Sequence, residues 1–166
     1  MAIRADLFAH LDAHSIVHKT HEHKAVFTVE ESHAIKDHLP GGHTKNLFSK
    51  SKDGCLFLLC ALGETKIPIN HLHKRLGCKR LSFGKPELLQ DVLGIKPGSV
   101  CLFSLLNDNG GRVELILDQA LMGFDLVNFH PLENTATTAI SSADMVKFSK
   151  STGHEPVIID FAKLSA

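Results

Sequence analysis

The sequence predicts an α+β fold in which helices pack around a curved, mostly antiparallel sheet. Apolar, strand-like segments are joined by turn sequences such as Asp53-Gly54, a strong hairpin signal. Helix-like segments stand between these hairpins without strict βαβ alternation, and no repeat period is present. A length of 166 residues with 43% hydrophobic residues is enough for one domain, residues 1–166, with a substantial core.

Periodicity and helix-end signals predict the elements of the first half. Apolar residues at helical spacing predict a helix over 4–14, followed by a strand at 15–18. Thr28 and Glu31 fit a capping box that begins a second helix, which runs to about residue 36. The remaining elements of this half are strands at 44–49, 55–62 and 80–83 and helices at 69–76 and 87–93. The strand at 55–62 has no polar alternation, so it should lie in the middle of the sheet with both faces covered.

The second half is predicted to contain mostly strands. Residues 100–106 and 112–117 are apolar and flank an Asn/Asp/Gly-rich turn, so they are expected to pair with each other. Asp118 begins a short helical turn, and Ser141 or Ser142 caps a helix that runs to about residue 150. The last predicted strands are 124–129, 135–140 and 156–161.

Composition narrows the functional classes. No apolar run approaches the roughly 20 residues of a membrane-spanning helix, and the N-terminus has no signal-peptide core, so we expect a soluble, cytoplasmic protein without a membrane partner. The formal net charge is zero with histidines neutral, and it does not indicate a DNA or other nucleic-acid partner. No Cys-x-x-Cys pair is present, which favours reduced thiols over a disulfide framework at Cys55, Cys60, Cys78 and Cys101.

One local segment departs from this charge balance. Residues 65–86 contain no acidic residue but six basic ones, namely Lys66, Lys74, Arg75, Lys79, Arg80 and Lys85. Such a segment provides a face for phosphate groups, although a solvated basic helix fits the same pattern equally well. Lys74, Arg75, Lys79 and Arg80 of this segment, with Lys50 outside it, are our candidates for contacts to phosphate groups.

A glycine-hinged segment presents polar side chains at the start of the strand at 44–49. Gly41 and Gly42 allow a tight turn, after which Lys45 and Asn46 precede an apolar stretch. A lysine beside an apolar strand is tolerated when it has partners, so Lys45 is a candidate functional cation; a merely solvated lysine is the alternative. A second polar stretch occupies residues 130–138.

Together these two stretches resemble a known family. Gly-Gly-His-Thr-Lys-Asn-Leu-Phe at 41–48 and His-Pro-Leu-Glu-Asn-Thr-Ala-Thr-Thr at 130–138 are similar to the signature of the YbaK/ProX family, the editing domains associated with prolyl-tRNA synthetase. Residues 27–32 and 93–100 extend the resemblance over most of the chain. It implies a mixed sheet bent toward a barrel, with a cleft on one side. It also implies trans-editing hydrolysis of tRNA(Pro) charged with alanine, without a metal or other cofactor, and leaves a complex with prolyl-tRNA synthetase open.

The resemblance also implies residue roles. Hydrolysis in this family depends most on the lysine that matches Lys45, and the substrate's ribose hydroxyl helps to activate the attacking water. Asn46 would contact the substrate, and His130 would shape the amino-acid pocket unless it is a structural histidine. Asn134 would contact the substrate or hold a turn.

A third matching segment departs from the family pattern. Gly98 and Ser99 match the glycine end of a Gly-x-x-x-Pro loop that borders the substrate pocket. Leu102 stands where the family has proline. Leu102 would narrow the pocket toward alanine or belong to the core.

Other chemistries lack their sequence signals. His10, His14, His21 and His23 make a zinc site conceivable, but neither His-Glu-x-x-His nor a cysteine pair accompanies them, so we predict no metal. The Gly-x-Ser-x-Gly elbow and the glycine-rich nucleotide-binding motifs are also missing. The alternatives to Ala-tRNA(Pro) hydrolysis are a deacylase for Cys-tRNA(Pro) or another small aminoacyl-tRNA, and a non-catalytic module that binds tRNA or a synthetase.

Overall fold

A computed structural model describes residues 1–25 and 29–164 and shows an α+β fold. The helices are α1 (Arg4–Ala13), α2 (Val29–Lys36), α3 (Ile69–Leu76), α4 (Pro86–Leu93) and α5 (Ser142–Ser151). The strands are β1 (Lys19–Glu22), β2 (Gly42–Ser51), β3 (Leu56–Leu62), β4 (Leu81–Phe83), β5 (Val113–Asp118), β6 (Leu126–Phe129), β7 (Ala136–Ser141) and β8 (Val157–Ile159). Short 3₁₀ helices span Pro97–Ser99, Leu102–Asn107, Gln119–Gly123 and Phe161–Lys163.

The strands form one mixed sheet that does not close into a barrel. Their order is β1-β7-β6-β2-β3-β5-β8, with β4 paired to β2. Four of the seven pairings among the described strands are antiparallel and three are parallel, so the prediction of a mixed, mostly antiparallel sheet is confirmed.

Strand β2 has an open edge in its middle. It pairs with β6 only at Gly42 and His43, and with β4 only at Ser49–Ser51, whereas its other side pairs with β3 continuously. Residues 44–48 of β2 therefore face no strand of the described chain on that side; we call them the open edge.

Two cores cover the two faces of β3, as its unbroken apolar sequence predicts. Leu56, Leu58 and Cys60 pack in the core that also holds residues of α1, α4 and α5. The alternating residues Phe57 and Leu59 pack in the second core, against α3 and the C-terminal 3₁₀ helix. Because side chains alternate along a strand, these two cores also define which face each β2 residue occupies.

Two predicted strands are wrong. Residues 100–106 contain a 3₁₀ helix instead of a strand, and β5 pairs in parallel with β3 and β8 rather than with that segment. Here the Ser104 hydroxyl donates to the Cys101 carbonyl oxygen at 2.5 Å, which closes a turn. Residues 15–18 precede β1 and leave Val17 exposed.

Other predicted boundaries shift by a few residues. The final strand is shorter than predicted, because Asp160 caps a 3₁₀ helix after β8. Ser141 caps α5, as the sequence predicts, by accepting a hydrogen bond from the Asp144 amide. The predicted capping role of Thr28 falls outside the described residues.

A buried hydrogen bond between His154 and Asp108 ties the segment after α5 to the turn before β5. His154 Nε2 lies 2.8 Å from Asp108 Oδ2, and both side chains are at most 3% exposed. The Asp108 carboxylate also accepts the backbone amides of Arg112 and Val113, and His154 Nδ1 bonds the Thr152 hydroxyl. Both ring nitrogens and both carboxylate oxygens therefore have partners. We call this group the Asp108–His154 clamp.

All four cysteines are free thiols; Cys60 and Cys101 are buried, and burial raises the pKa of Cys101 to about 11.

Within residues 1–25 and 29–164, no helix combines the length and apolar character needed to span a membrane.

Candidate active site

A small cleft opens where β6 and β2 diverge beyond their two paired residues. Its volume is about 70 Å³. It is lined by Ile35, Lys36, His43, Thr44, Asn46, Asn128, Phe129, His130 and Thr137. The cleft thus combines the open edge with the segment that follows β6.

The tight turn at Gly41 and Gly42, where β2 begins, is held by Asn128, a polar residue of β6. Gly41 has φ 97°, and a Cβ atom there would lie 2.6 Å from the Leu126 carbonyl oxygen, so only glycine fits. The Asn128 amide donates to the carbonyl oxygens of Pro40 and Gly42 at 3.0 and 3.2 Å. The Thr44 hydroxyl donates to the backbone carbonyl oxygen of Asn128 at 2.7 Å. These bonds fix the start of β2 relative to β6.

Asn46 presents an unpaired acceptor in the cleft. Its Nδ2 donates to Thr44 Oγ1 at 3.2 Å, and since the Thr44 hydroxyl hydrogen is directed at Asn128, Thr44 can only accept from Asn46. This orients the amide. The Asn46 Oδ1 atom is buried and has no hydrogen-bond partner among the described residues. Buried acceptors normally have partners, so this oxygen is a candidate ligand contact.

His130 contributes a second acceptor. Its Nδ1 lies 3.0 Å from the Ala136 carbonyl oxygen and donates to it. Burial lowers the pKa of His130; the bond to Ala136 opposes this shift and nearby His23 adds to it. In the neutral ring the proton is therefore on Nδ1, which leaves Nε2 as an acceptor on a side chain that lines the cleft.

The loop that carries His130 is anchored to α1. Arg4 lies 2.6 Å from a Glu22 oxygen and 2.5 Å from a Glu133 oxygen, so it joins α1, β1 and this loop. Hydrogen bonding to Glu22 raises the pKa of Arg4. Leu132 in the same loop has φ 70°, a conformation that is costly for a branched residue and persists where surrounding contacts impose it. Arg4 supplies such contacts.

Two lysines differ in their relation to the cleft. Lys45 lies between Thr44 and Asn46 and therefore projects from the opposite face of β2, where its ammonium donates to the Thr65 carbonyl oxygen. The structure does not bring Lys45 into the cleft. Lys36, at the end of α2, lines the cleft and makes no hydrogen bond or ion pair with any residue that the structure describes.

The third matching segment lies beside the late polar stretch but outside the cleft lining. A Cβ atom at Gly98 would lie 3.4 Å from Asn134 Nδ2, so these two residues are neighbours. Gly98, Ser99 and Asn134 do not line the cleft. Leu102 is fully buried in the first core, which assigns it to packing rather than to the pocket.

The predicted RNA-contacting residues lie on the surface, away from the cleft lining. The five exposed side chains are Lys50, Lys74, Arg75, Lys79 and Arg80. Lys50 lies at the end of β2 and lines a separate groove, described below. None of the five makes an ion pair with a described residue.

The histidines considered for zinc have other contacts. His10 bonds Ser151 and stacks on His14, and His23 bonds Thr137. In the described part of the chain, no three His, Cys, Asp or Glu side chains converge in a way that could hold a metal ion.

Sequence reasoning did not identify several residues that line the cleft. Lys36 carries no local signal, since lysines at helix ends are common. Thr44 and Thr137 lie in the two matching stretches, but threonines are too common in strands to be selected individually. Asn128 did carry one: it is the only polar residue in the apolar run of β6, and a buried amide there requires partners.

The family model of the aminoacyl-tRNA editing domain matches residues 23–148, which contain most of the fold and the cleft described above. The chain accordingly belongs to the YbaK/ProX family of editing domains associated with prolyl-tRNA synthetase.

Individual relatives cover nearly the whole chain. It is 37% identical over 164 residues to prolyl-tRNA synthetase associated domain-containing protein 1 of Mus musculus, covering 96% of each chain. It is 33% identical over 155 residues to the prolyl-tRNA editing protein ProX of Acetoanaerobium sticklandii, covering 93% of this chain and 94% of that protein. The fold matches the crystal structure of hypothetical protein APE2540 with a TM-score of 0.72 at 18% identity, over 95% and 97% of the two chains.

Proposed function

We propose that this protein is a trans-editing deacylase that hydrolyses the ester of tRNA(Pro) mischarged with alanine, in the cytoplasm. The observation that carries this proposal is that two residues lining the cleft, Asn46 and His130, each keep an acceptor without a partner among the described residues, namely Asn46 Oδ1 and His130 Nε2. The α-ammonium of an aminoacyl group carries three N–H donors, which match such acceptors. The cleft volume of about 70 Å³ is small beside the roughly 300–1,000 Å³ of ordinary ligand pockets, so it favours a small side chain.

The reaction needs few catalytic groups. Water attacks the ester carbonyl carbon; a C–O bond forms to the water oxygen, and the C–O bond to the ribose oxygen breaks. Alanine leaves with a carboxylate; one proton of the attacking water passes to the ribose oxygen, and the other is released to solvent. Holding the carbonyl and aligning the water provides much of the acceleration, and the family resemblance implies that the ribose hydroxyl next to the ester helps to activate the water.

A cation stabilises the charge that develops on the carbonyl oxygen, and we assign this role to Lys45. The Lys45 ammonium bonds a neutral carbonyl rather than a carboxylate, so no ion pair among the described residues opposes its release. The open edge provides a route, because no strand separates the two faces of β2 there. Lys45 reaches the substrate by exchanging the Thr65 oxygen for the oxyanion or the terminal phosphate. Lys36 already lines the cleft and is the competing assignment.

Recognition of the tRNA must come from outside the cleft, since an alanyl group looks the same on tRNA(Pro) and tRNA(Ala). The exposed basic residues Lys50, Lys74, Arg75, Lys79 and Arg80 are suited to the acceptor-stem backbone. Cooperation with prolyl-tRNA synthetase would place the protein where mischarged tRNA is released.

Deacylation of purified charged tRNAs tests the proposal. We expect rapid loss of the ester from Ala-tRNA(Pro), slower loss from Cys-tRNA(Pro), and little loss from Ala-tRNA(Ala) or Pro-tRNA(Pro). Equal rates on the alanyl and cysteinyl esters would remove the alanine preference. No acceleration over buffer on any of the four would leave a non-catalytic binding module.

A further inference from the structure

A second groove lies at the other end of β2 from the cleft. Its volume is about 580 Å³. It is lined by Lys50, Ser51, Lys52, Ser82, Phe83, Gly84, Lys85, Glu87, Leu88 and Asp91. This groove, which we call the β4 groove, includes no residue that lines the cleft.

The most unusual residue of this groove is Phe83. It is 64% exposed, although the neighbouring Phe48 is buried. The chain has only 10 aromatic residues of the Phe, Tyr and Trp types, and all of them are phenylalanine. An exposed phenylalanine ring leaves a large apolar surface in contact with water, which suggests that the ring has a binding partner. An exposed ring on a short strand gives a flat surface on which a planar group can stack.

The surroundings of Phe83 are cationic. Lys50, Lys52 and Lys85 line the groove, and none forms an ion pair with a described residue. Glu87 and Asp91 of α4 also line the groove, and Asp91 pairs with Arg112 at 3.4 Å. Three of the five charged residues that line the groove are therefore lysines without an ion pair among the described residues, and such a set suits a polyanion that runs along β2 and β4.

We propose that Phe83 stacks on an unpaired base at the 3′ end of the tRNA, while Lys50, Lys52 and Lys85 hold the adjacent phosphates. An aromatic side chain in a basic groove is the combination that single-stranded nucleic acid uses, since every base has a face for stacking. An acidic peptide would use the lysines but not the ring.

The geometry relates this groove to the reaction proposed above, on which the inference rests. Asn46 in the cleft and Lys50 in the groove are four residues apart on β2, which corresponds to about 14 Å along a strand. A charged tRNA ends in unpaired nucleotides that connect the esterified ribose to the stem. In this arrangement the cleft holds the ester. The β4 groove holds a base of the same tRNA 3′ end that lies nearer the acceptor stem.

Steady-state kinetics on Ala-tRNA(Pro) test this contact. We expect Phe83→Ala to raise KM by about tenfold with kcat unchanged, since stacking on one base is worth about 1–3 kcal/mol. Phe83→Trp should keep the wild-type KM, and Phe83→Leu should behave like the alanine variant. The matched control is Ile158→Ala, which removes another exposed apolar side chain, on β8, and should change neither constant.

A binding measurement separates this inference from the proposed function. Uncharged tRNA carrying 2-aminopurine at each unpaired 3′ position in turn should lose fluorescence at one position on wild-type protein, and keep it on Phe83→Ala. Equal KM values for Phe83→Ala and Ile158→Ala, with no quenching at any position, would overturn the inference while leaving deacylation intact. Quenching at one position without any deacylation would support the contact between Phe83 and a base, and it would reject the proposed deacylase function.

Discussion

The cleft and the Asp108–His154 clamp are both polar groups set into an apolar sheet, but they differ in how fully their atoms are bonded. In the clamp both carboxylate oxygens and both ring nitrogens have partners. In the cleft the Asn46 Oδ1 atom and the Nε2 atom of His130 have no hydrogen-bond partner within residues 1–25 and 29–164. A buried acceptor without a partner costs stability, so the protein bears a cost in the cleft that it avoids in the clamp.

This difference separates a structural role from a binding role. The bonds of the clamp hold two segments of the chain together and leave nothing for a ligand. In the cleft, hydrogen bonds orient Asn46 and His130 through one polar atom of each side chain. The other polar atom of each has no partner among the described residues, as a contact to the proposed substrate requires. The predictions that follow test this distinction by changing one group at a time.

The largest effect is expected from the lysines. Lys45→Ala should lower kcat on Ala-tRNA(Pro) by about 100- to 1,000-fold, the usual loss when a group that stabilises an oxyanion is removed. Lys36→Ala is the matched variant and should lower it by less than tenfold. Single-turnover deacylation with tRNA binding measured in parallel gives both numbers. The reverse order of effects would assign the cation to Lys36.

The second largest effect concerns stability alone. His154→Ala should lower the free energy of unfolding by about 1–3 kcal/mol, because it leaves a buried oxygen of the Asp108 carboxylate without one of its hydrogen-bond partners. Urea denaturation followed by circular dichroism measures this loss, and kcat of the folded fraction should not change. His154→Gln keeps one donor and should lose less. A large fall in kcat would show that the clamp acts on the cleft.

Asn46→Ala should show the opposite behaviour. It removes an acceptor that already lacks a partner, so the free energy of unfolding should change by less than about 1 kcal/mol. Deacylation should fall by about 10- to 100-fold, the loss expected for a hydrogen bond to a charged group. If Asn46→Ala unfolded easily yet kept its deacylation activity, Asn46 would have a structural role like that of the clamp, and the distinction between clamp and cleft would be wrong.

The smallest effect is a pH dependence at His130. Because burial lowers its pKa in the folded protein, the unfolded chain binds more protons in the window below the usual value of about 6.5. Stability therefore rises with pH through that window and is lost as the pH falls. His130→Asn should reduce this dependence in urea denaturation between pH 5 and 7. His10, whose pKa burial also lowers, stays in both proteins and cancels. An unchanged dependence would contradict the assignment.

Much of the fold could be predicted because local signals and tertiary contacts agree. Asp53-Gly54 does turn β2 into β3, and Ser141 does cap α5. The segment at 100–106 failed because a short apolar run suits a buried turn as well as a strand, and the Ser104 hydroxyl bond that decides between them is not visible in a pattern. The parallel pairings of β5 also depend on the order in which distant segments meet.

The site was predictable in its segments but not in its faces. The sequence pointed to the stretches that carry Asn46 and His130, and these residues do line one cleft. The predicted strand at 44–49 already implies that Lys45 and Asn46 project to opposite faces, because side chains alternate along a strand. Which of the two faces the cleft depends on how β2 packs in the sheet, and the sequence could not predict that. It also gave no sign of Lys36, since the approach of α2 to the cleft is a tertiary contact.

The tie between Arg4 and Glu133 has a practical consequence for anyone who modifies the protein. The loop that positions the imidazole is fastened to the first turn of the first helix. A bulky fusion or affinity tag placed just before that turn is expected to disturb this pair and, through it, the position of His130. A change in cleft properties seen in such a protein should therefore be checked against the untagged chain.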